Sequence, residues 1–166
     1  MSLDITSAQA LWFLPFVLPI CLWVVWSDLS TMRIPNKAVL ALTAVFLVIG
    51  LIALPLADYP WRLLNLAIVL LFGILVNAAG LMGAGDSKFL AAAAPFIAPG
   101  DFTLISVIFA VNMVACYATH RMIKHSGLRN MAPDWQSWTS GNKFPMGFAL
   151  GSSLVIYLWL GAMFGQ

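Results

Sequence analysis

Two aspartates stand beside short polar motifs where long apolar segments meet. Asp28 begins the stretch DLSTMRIPN, and Asp86 lies in the stretch GAGDSK. Two carboxylates that share one site do not both ionise easily, so one keeps its proton while the other acts as a base. Such a pair activates a water molecule for attack on a peptide carbonyl. Taken singly, each motif is also typical of a polar turn between two apolar segments.

The residues around the two aspartates are suited to supporting roles. Gly83 and Gly85 give the backbone conformations that other residues avoid and let an extended peptide approach closely. Pro35 suits the first turn of a following helix, and Asn36 is a candidate helix cap. The candidate supporting residues are Gly83, Gly85, Lys88, Arg33, Pro35 and Asn36. Their plainer interpretation is a flexible turn, with the basic residues as anchors at a membrane surface.

The composition requires a membrane environment for these motifs. Apolar residues make up 62% of the chain and charged residues 8%, whereas soluble domains have roughly 45–50% and about 25%. So few charges exclude a soluble globular enzyme and a disordered chain. A net charge of +2 gives no phosphate-binding surface, which excludes a nucleic-acid partner. All six acids are aspartates, and each ionisable group is costly within a bilayer.

Six apolar segments predict an all-α polytopic membrane protein, forming one domain over residues 1–166. The predicted transmembrane helices cover residues 11–27, 38–57, 63–82, 88–98, 102–122 and 145–164. A span needs about 20 residues, and the fourth segment is too short. Even from Asp86 to Ala98 it rises only about 20 Å as a helix, against a core of about 30 Å. It therefore thins the membrane, lies deep in the bundle or re-enters without crossing.

The positive charges favour six crossings. If all six segments cross, one side receives seven of the eight basic residues and the other receives Arg62 alone. The seven are Arg33, Lys37, Lys88, Arg121, Lys124, Arg129 and Lys143. With a re-entrant fourth segment, three basic residues would lie on one side of the membrane and five on the other. The positive-inside rule therefore selects six crossings. Both termini then lie outside the cytoplasm, and Asp28 and Asp86 lie together on the cytoplasmic face. The other four aspartates fall in tails or connecting loops and need no special role.

The cysteines and the N-terminal region predict neither a metal site nor a secretory signal. Cys21 and Cys116 both lie inside apolar segments, and no CxxC spacing exists. We therefore expect no structural zinc site, no disulfide and no cofactor. The first positive charge is Arg33, whereas a secretory signal needs a basic region before its apolar stretch. The first apolar segment is accordingly predicted to be a true span.

The sequence resembles the prepilin leader peptidases, which are membrane aspartic proteases of the GxGD type. It is most similar to their short form that serves Flp (tight-adherence) pili. The resemblance rests on Asp28 with the RIPN motif at 33–36, on GAGDSK at 83–88 and on PMGFA at 145–149. It covers essentially the whole chain, with the order of the spans intact.

The resemblance implies a function and partners. Asp28 and Asp86 would be the catalytic pair of a bacterial inner-membrane endopeptidase. Its substrates would be prepilins or pseudopilins, cleaved between a short basic leader and a hydrophobic helix on the cytoplasmic side. The bilayer and the pilus assembly machinery are the further partners implied. Longer members carry a cysteine-rich cytoplasmic region and methylate the new N-terminus. This chain has no cysteine cluster, so we expect no methyltransferase activity.

Helix dipoles suggest different roles for the two carboxyls, and two rival functions stay open. A dipole disfavours a carboxylate at a helix end and favours one at a helix start. Asp28 is therefore predicted to hold the proton and Asp86 to be the base. The first rival is a small transporter that uses both aspartates as a proton or cation relay, although no internal repeat is visible. The second is a non-catalytic subunit of a secretion machine.

Overall fold

The computed structural model describes residues 3–166, and these residues form six α-helices. In chain order they are α1 Ser7–Thr31, α2 Asn36–Ala53, α3 Tyr59–Ala78, α4 Ala84–Ala93, α5 Phe102–Lys124 and α6 Met146–Phe164. The described part of the chain contains no β-strand, so the predicted all-α class is confirmed. Five helices are long and apolar enough to cross a membrane, and α4 is the exception. The chain is a multi-pass membrane protein.

Local sequence sets both ends of α1 and the start of α2. At the start of α1, Thr6 and Gln9 form a capping box, in which each side chain accepts the other residue's backbone N–H. At its end, Met32 adopts a left-handed conformation with φ 55°, and its N–H bonds to the carbonyl of Asp28. Pro35, with φ −68°, occupies the N-cap position of α2. Asn36 is the first residue of α2, so the expectation that it caps this helix is wrong.

Helices α1 and α6 pack antiparallel and form the centre of the bundle. Glycines allow their close approach, since a Cβ at Gly161 would lie 3.1 Å from Ala10 Cβ. At Gly151 a Cβ would lie 3.2 Å from the Cys21 carbonyl oxygen. Cys21 is buried in this interface, and both it and Cys116 are free thiols. Helix α2 packs against α1 and α4, whereas α3 packs mainly on α4 and α5 mainly on α6.

The segment that contains α4 runs from one end of the bundle to the other. Near its start, Lys88 Nζ donates to Asn36 Oδ1 at 3.2 Å. Near its end, the Ala98 N–H donates to the Tyr157 hydroxyl at 3.0 Å, close to the end of α6. After ten residues of α-helix, the 3₁₀ turn Ala94–Phe96 and two more extended residues follow. These rise more per residue than an α-helix does, so the segment reaches about 28 Å.

Burial answers the question that the short length of this segment raised. No residue from Phe89 to Ala98 is exposed. Of the three interpretations that the sequence leaves open, a path deep in the bundle is therefore the one observed.

Asp101 organises the end of the bundle where Leu3 and Gly165 meet. Its carboxylate accepts the backbone N–H groups of Asp4 at 2.9 Å and Ile5 at 3.0 Å, and the Tyr157 hydroxyl at 2.8 Å. Asp101 is only 3% exposed, so the expectation that it is a loop residue without a special role is wrong. Leu3 pairs with Gly165 at this same end, opposite the end that carries Asp28.

Candidate active site

A cavity of about 530 Å³ opens where α1 ends and α2, α4 and α6 begin. Six of the eight residues predicted for the site line it: Asp28, Asp86, Arg33, Asn36, Gly83 and Gly85. The fold thus brings together two aspartates that are more than fifty residues apart in the sequence. Two carboxyls in one cavity are the arrangement that shared-proton chemistry needs.

Asp28 is held by the start of α6. It lies in the last turn of α1 and is 5% exposed. Its Oδ2 accepts a hydrogen bond from the backbone N–H of Gly147 at 2.6 Å. Gly147 is in the first turn of α6, where backbone N–H groups have no partner within the helix. The carboxylate therefore replaces the missing helical acceptor and faces the positive end of the α6 dipole.

Asp86 lies in the first turn of α4, and the two glycines of its motif make its position possible. A Cβ at Gly83 would lie 2.7 Å from Asp86 Oδ2, so only glycine leaves this carboxylate its space. A Cβ at Gly85 would lie 3.3 Å from Ile34 Cβ. Gly85 therefore allows the start of α4 to pack against the segment between α1 and α2. Both glycines have packing roles within the protein, and admission of a substrate stays a prediction.

Lys88 and Pro35 do not line the cavity, but each adjoins a residue that does. Lys88 is exposed and donates to Asn36 Oδ1, so it joins the two motifs across the start of α2. Pro35 caps α2 through its backbone conformation. Their structural role is to hold the residues that do line the cavity.

Six further residues line the cavity and are not among the predicted site residues: Met32, Ile34, Ala84, Lys143, Phe144 and Met146. Gly147 is likewise absent from the predicted site. Lys143 and Phe144 come from the connection between α5 and α6, which has no periodic pattern that would point to a site. Gly147 had a signal, because a glycine opens the last apolar segment in the PMGFA motif.

Two helix dipoles act on Asp28. It lies at the end of α1, where the dipole of that helix disfavours a carboxylate. The carboxylate of Asp28 contacts the start of α6, and Asp86 lies at the start of α4. Both carboxylates therefore face a helix N-terminus, which favours the ionised form of each. The assignment of the proton to Asp28 stays a prediction.

The family comparison covers both aspartates. A model of the type IV leader peptidase family matches residues 15–119. This range contains most of α1 and α5 and all of α2, α3 and α4, whereas α6 lies outside it. No curated protein and no solved structure matches the chain.

Proposed function

Because this chain belongs to the type IV leader peptidase family, we propose that it is an aspartic endopeptidase in which Asp28 and Asp86 activate water. The family acts on prepilins, so a peptidase role on such substrates follows from membership. The observation that carries the aspartic mechanism is the shared cavity, which both carboxylates line.

The two carboxyls have complementary tasks in this mechanism. One is ionised and removes a proton from the water molecule as its oxygen attacks the scissile carbonyl carbon. The other is protonated and donates to the carbonyl oxygen, which becomes the hydroxyl of a tetrahedral intermediate. A proton then passes to the amide nitrogen, the C–N bond breaks and the new carboxyl and amine leave. The Gly147 N–H stabilises Asp28 in the steps in which its carboxyl group is ionised.

The charge distribution supports a cytoplasmic site in the bacterial inner membrane. Arg33, Lys88 and Lys143 all lie at the cavity end of the bundle, whereas Arg62 begins α3 at the other end. By the positive-inside rule, this distribution favours the cytoplasm for the cavity end. A prepilin would then present its short basic leader at the cavity, with its hydrophobic helix in the bilayer. We propose Flp-type prepilins or pseudopilins as substrates, with no methylation of the product.

The interior argues against the rival function of a transporter. A relay between the two faces needs polar groups along its path. Between the ends of this bundle, Phe13, Phe46 and Phe96 pack with ring centroids 4.9–6.0 Å apart. All three are buried. This aromatic cluster separates the cavity from Asp101 at the opposite end.

Co-expression with a prepilin tests the proposal. We expect leader removal by the wild type and none by Asp28→Asn or Asp86→Asn, measured as a mobility shift on a gel. Asp134→Asn is the matched control, because Asp134 is exposed in the connection between α5 and α6, and it should process normally. Continued processing by either cavity variant would overturn the dyad. Processing by both would favour a non-catalytic role for the two aspartates.

A further inference from the structure

We propose that Gly147 is a positioning residue for Asp28, with α6 acting as a structural part of the active site. The inference rests on the proposed function, since it concerns how that catalytic carboxylate is held. The family match ends at residue 119, so neither the match nor the predicted catalytic pair includes this helix.

Two separate features of Gly147 act on the same carboxylate. Its N–H donates to Asp28 Oδ2 at 2.6 Å, and both residues are buried. A hydrogen bond to an ionised acceptor is shorter and stronger than one between neutral groups. The second feature is the missing side chain. A Cβ at Gly147 would lie 2.9 Å from Asp28 Oδ2, 3.0 Å from its Cβ and 3.1 Å from its Cγ. Any other residue would therefore displace the Asp28 carboxylate.

The donor is itself held in place by the packing of α6. Gly151 and Gly161 keep α6 in close contact with α1 along its length. The position of the Gly147 N–H is therefore fixed relative to α1. The direction from which it donates to Asp28 is fixed as well. Asp86 approaches from α4 on another side. The separation of the two carboxyls depends on three helices, and α6 is the one that contributes no catalytic side chain.

Alanine substitution at two glycines tests the positioning role. Gly147→Ala should lower kcat for prepilin cleavage about 100-fold with KM within about twofold, since displacement by about 1 Å misaligns the carboxylate. Gly127→Ala is the control, because Gly127 lies outside α6 and a Cβ there would meet no atom within 4 Å. Its kcat should stay within about threefold. Equal kcat values for the two folded variants would overturn the positioning role.

Amide NMR tests the same contact without relying on activity or on a stable variant. Labelling with ¹⁵N-glycine makes the amides of the twelve glycines visible. Among them, the Gly147 amide proton should resonate strongly downfield because of its short hydrogen bond to the Asp28 carboxylate. Asp28→Asn should move this resonance upfield and leave that of Gly151 in place. An unshifted Gly147 resonance would exclude the bond even if Gly147→Ala failed to fold. If Asp28→Asn still cleaved prepilin while the resonance moved, the proposed function would fail and the contact would stand.

Discussion

Gly85 and Ile34 bring the two aspartate motifs into contact, since a Cβ at Gly85 would lie 3.3 Å from Ile34 Cβ. Ile34 belongs to the segment that follows Asp28, and Gly85 directly precedes Asp86. The width of the cavity is therefore set by a contact between a backbone and a side chain, one residue away from the Asp86 carboxyl.

A larger residue at position 85 should separate the motifs and slow cleavage. We expect Gly85→Val to reduce the rate of leader removal at least about tenfold, because reacting groups tolerate little displacement. The rate is measured with purified protein and a prepilin substrate. Gly127→Val serves as the control, because a Cβ at Gly127 meets no atom within 4 Å. A Gly85→Val rate equal to that of the control would show that the contact does not set the cavity.

Loss of the Tyr157 hydroxyl should destabilise the end of the bundle that lies opposite the cavity. The hydroxyl donates to Asp101 and accepts from the Ala98 N–H, so Tyr157→Phe leaves a buried N–H without a partner. The expected cost is about 1–3 kcal/mol, seen as a lower midpoint of thermal unfolding in detergent. Tyr117→Phe is the control, because Tyr117 is 47% exposed. Cleavage at low temperature should persist in both variants, and an unchanged midpoint for Tyr157→Phe would contradict the structural role.

Asn112 should hold α5 against α6. Its Nδ2 donates to the Ala149 carbonyl at 3.1 Å and to the hydroxyls of Ser152 at 2.7 Å and Ser153 at 2.9 Å. Bonds between membrane helices contribute about 0.6–2 kcal/mol, so Asn112→Val should lower the unfolding midpoint by a corresponding amount. It should also speed proteolysis in the connection after α5, whereas the exposed Asn130→Val should change neither. An unaltered proteolysis rate would mean that other contacts hold α5.

Met32 adopts a backbone conformation that few side chains accept. With φ 55° it ends α1 directly after the last turn that carries Asp28. A β-branched side chain is strained in this region, so Met32→Val should destabilise the protein by about 1–2 kcal/mol. Met32→Gly should be tolerated, because glycine adopts positive φ freely. Thermal unfolding of both variants checks the order, and a Val variant as stable as the Gly variant would contradict the conformation.

The sequence predicts the parts of this protein that depend on local pattern. Hydropathy and length identify the all-α class and the five long helices, because each apolar segment must satisfy its own backbone in a bilayer. The polar motifs at segment ends identify six residues of the cavity.

The missed features depend on contacts between residues distant in sequence. Asp28 and Gly147 are 119 residues apart, and Asp101 and Asp4 are 97 apart, so no local pattern marks either bond. The sequence leaves the path of the fourth segment open among three alternatives for another reason. Its reach depends on a change from α-helix to 3₁₀ and extended backbone, which rises more per residue than composition alone suggests.

Because the Phe89–Ala98 segment is buried, its position depends little on the thickness of the surrounding bilayer. Helices that face lipid tilt when the hydrocarbon core becomes thinner or thicker, and α3 and α5 expose large apolar side chains such as Phe72 and Val114. The segment that follows Asp86 has no such face, because protein surrounds it from Phe89 to Ala98. A change in bilayer thickness would therefore tilt α3 and α5 more than it moves this segment. The depth of the Asp86 carboxyl would accordingly vary less with acyl-chain length than the tilt of these outer helices.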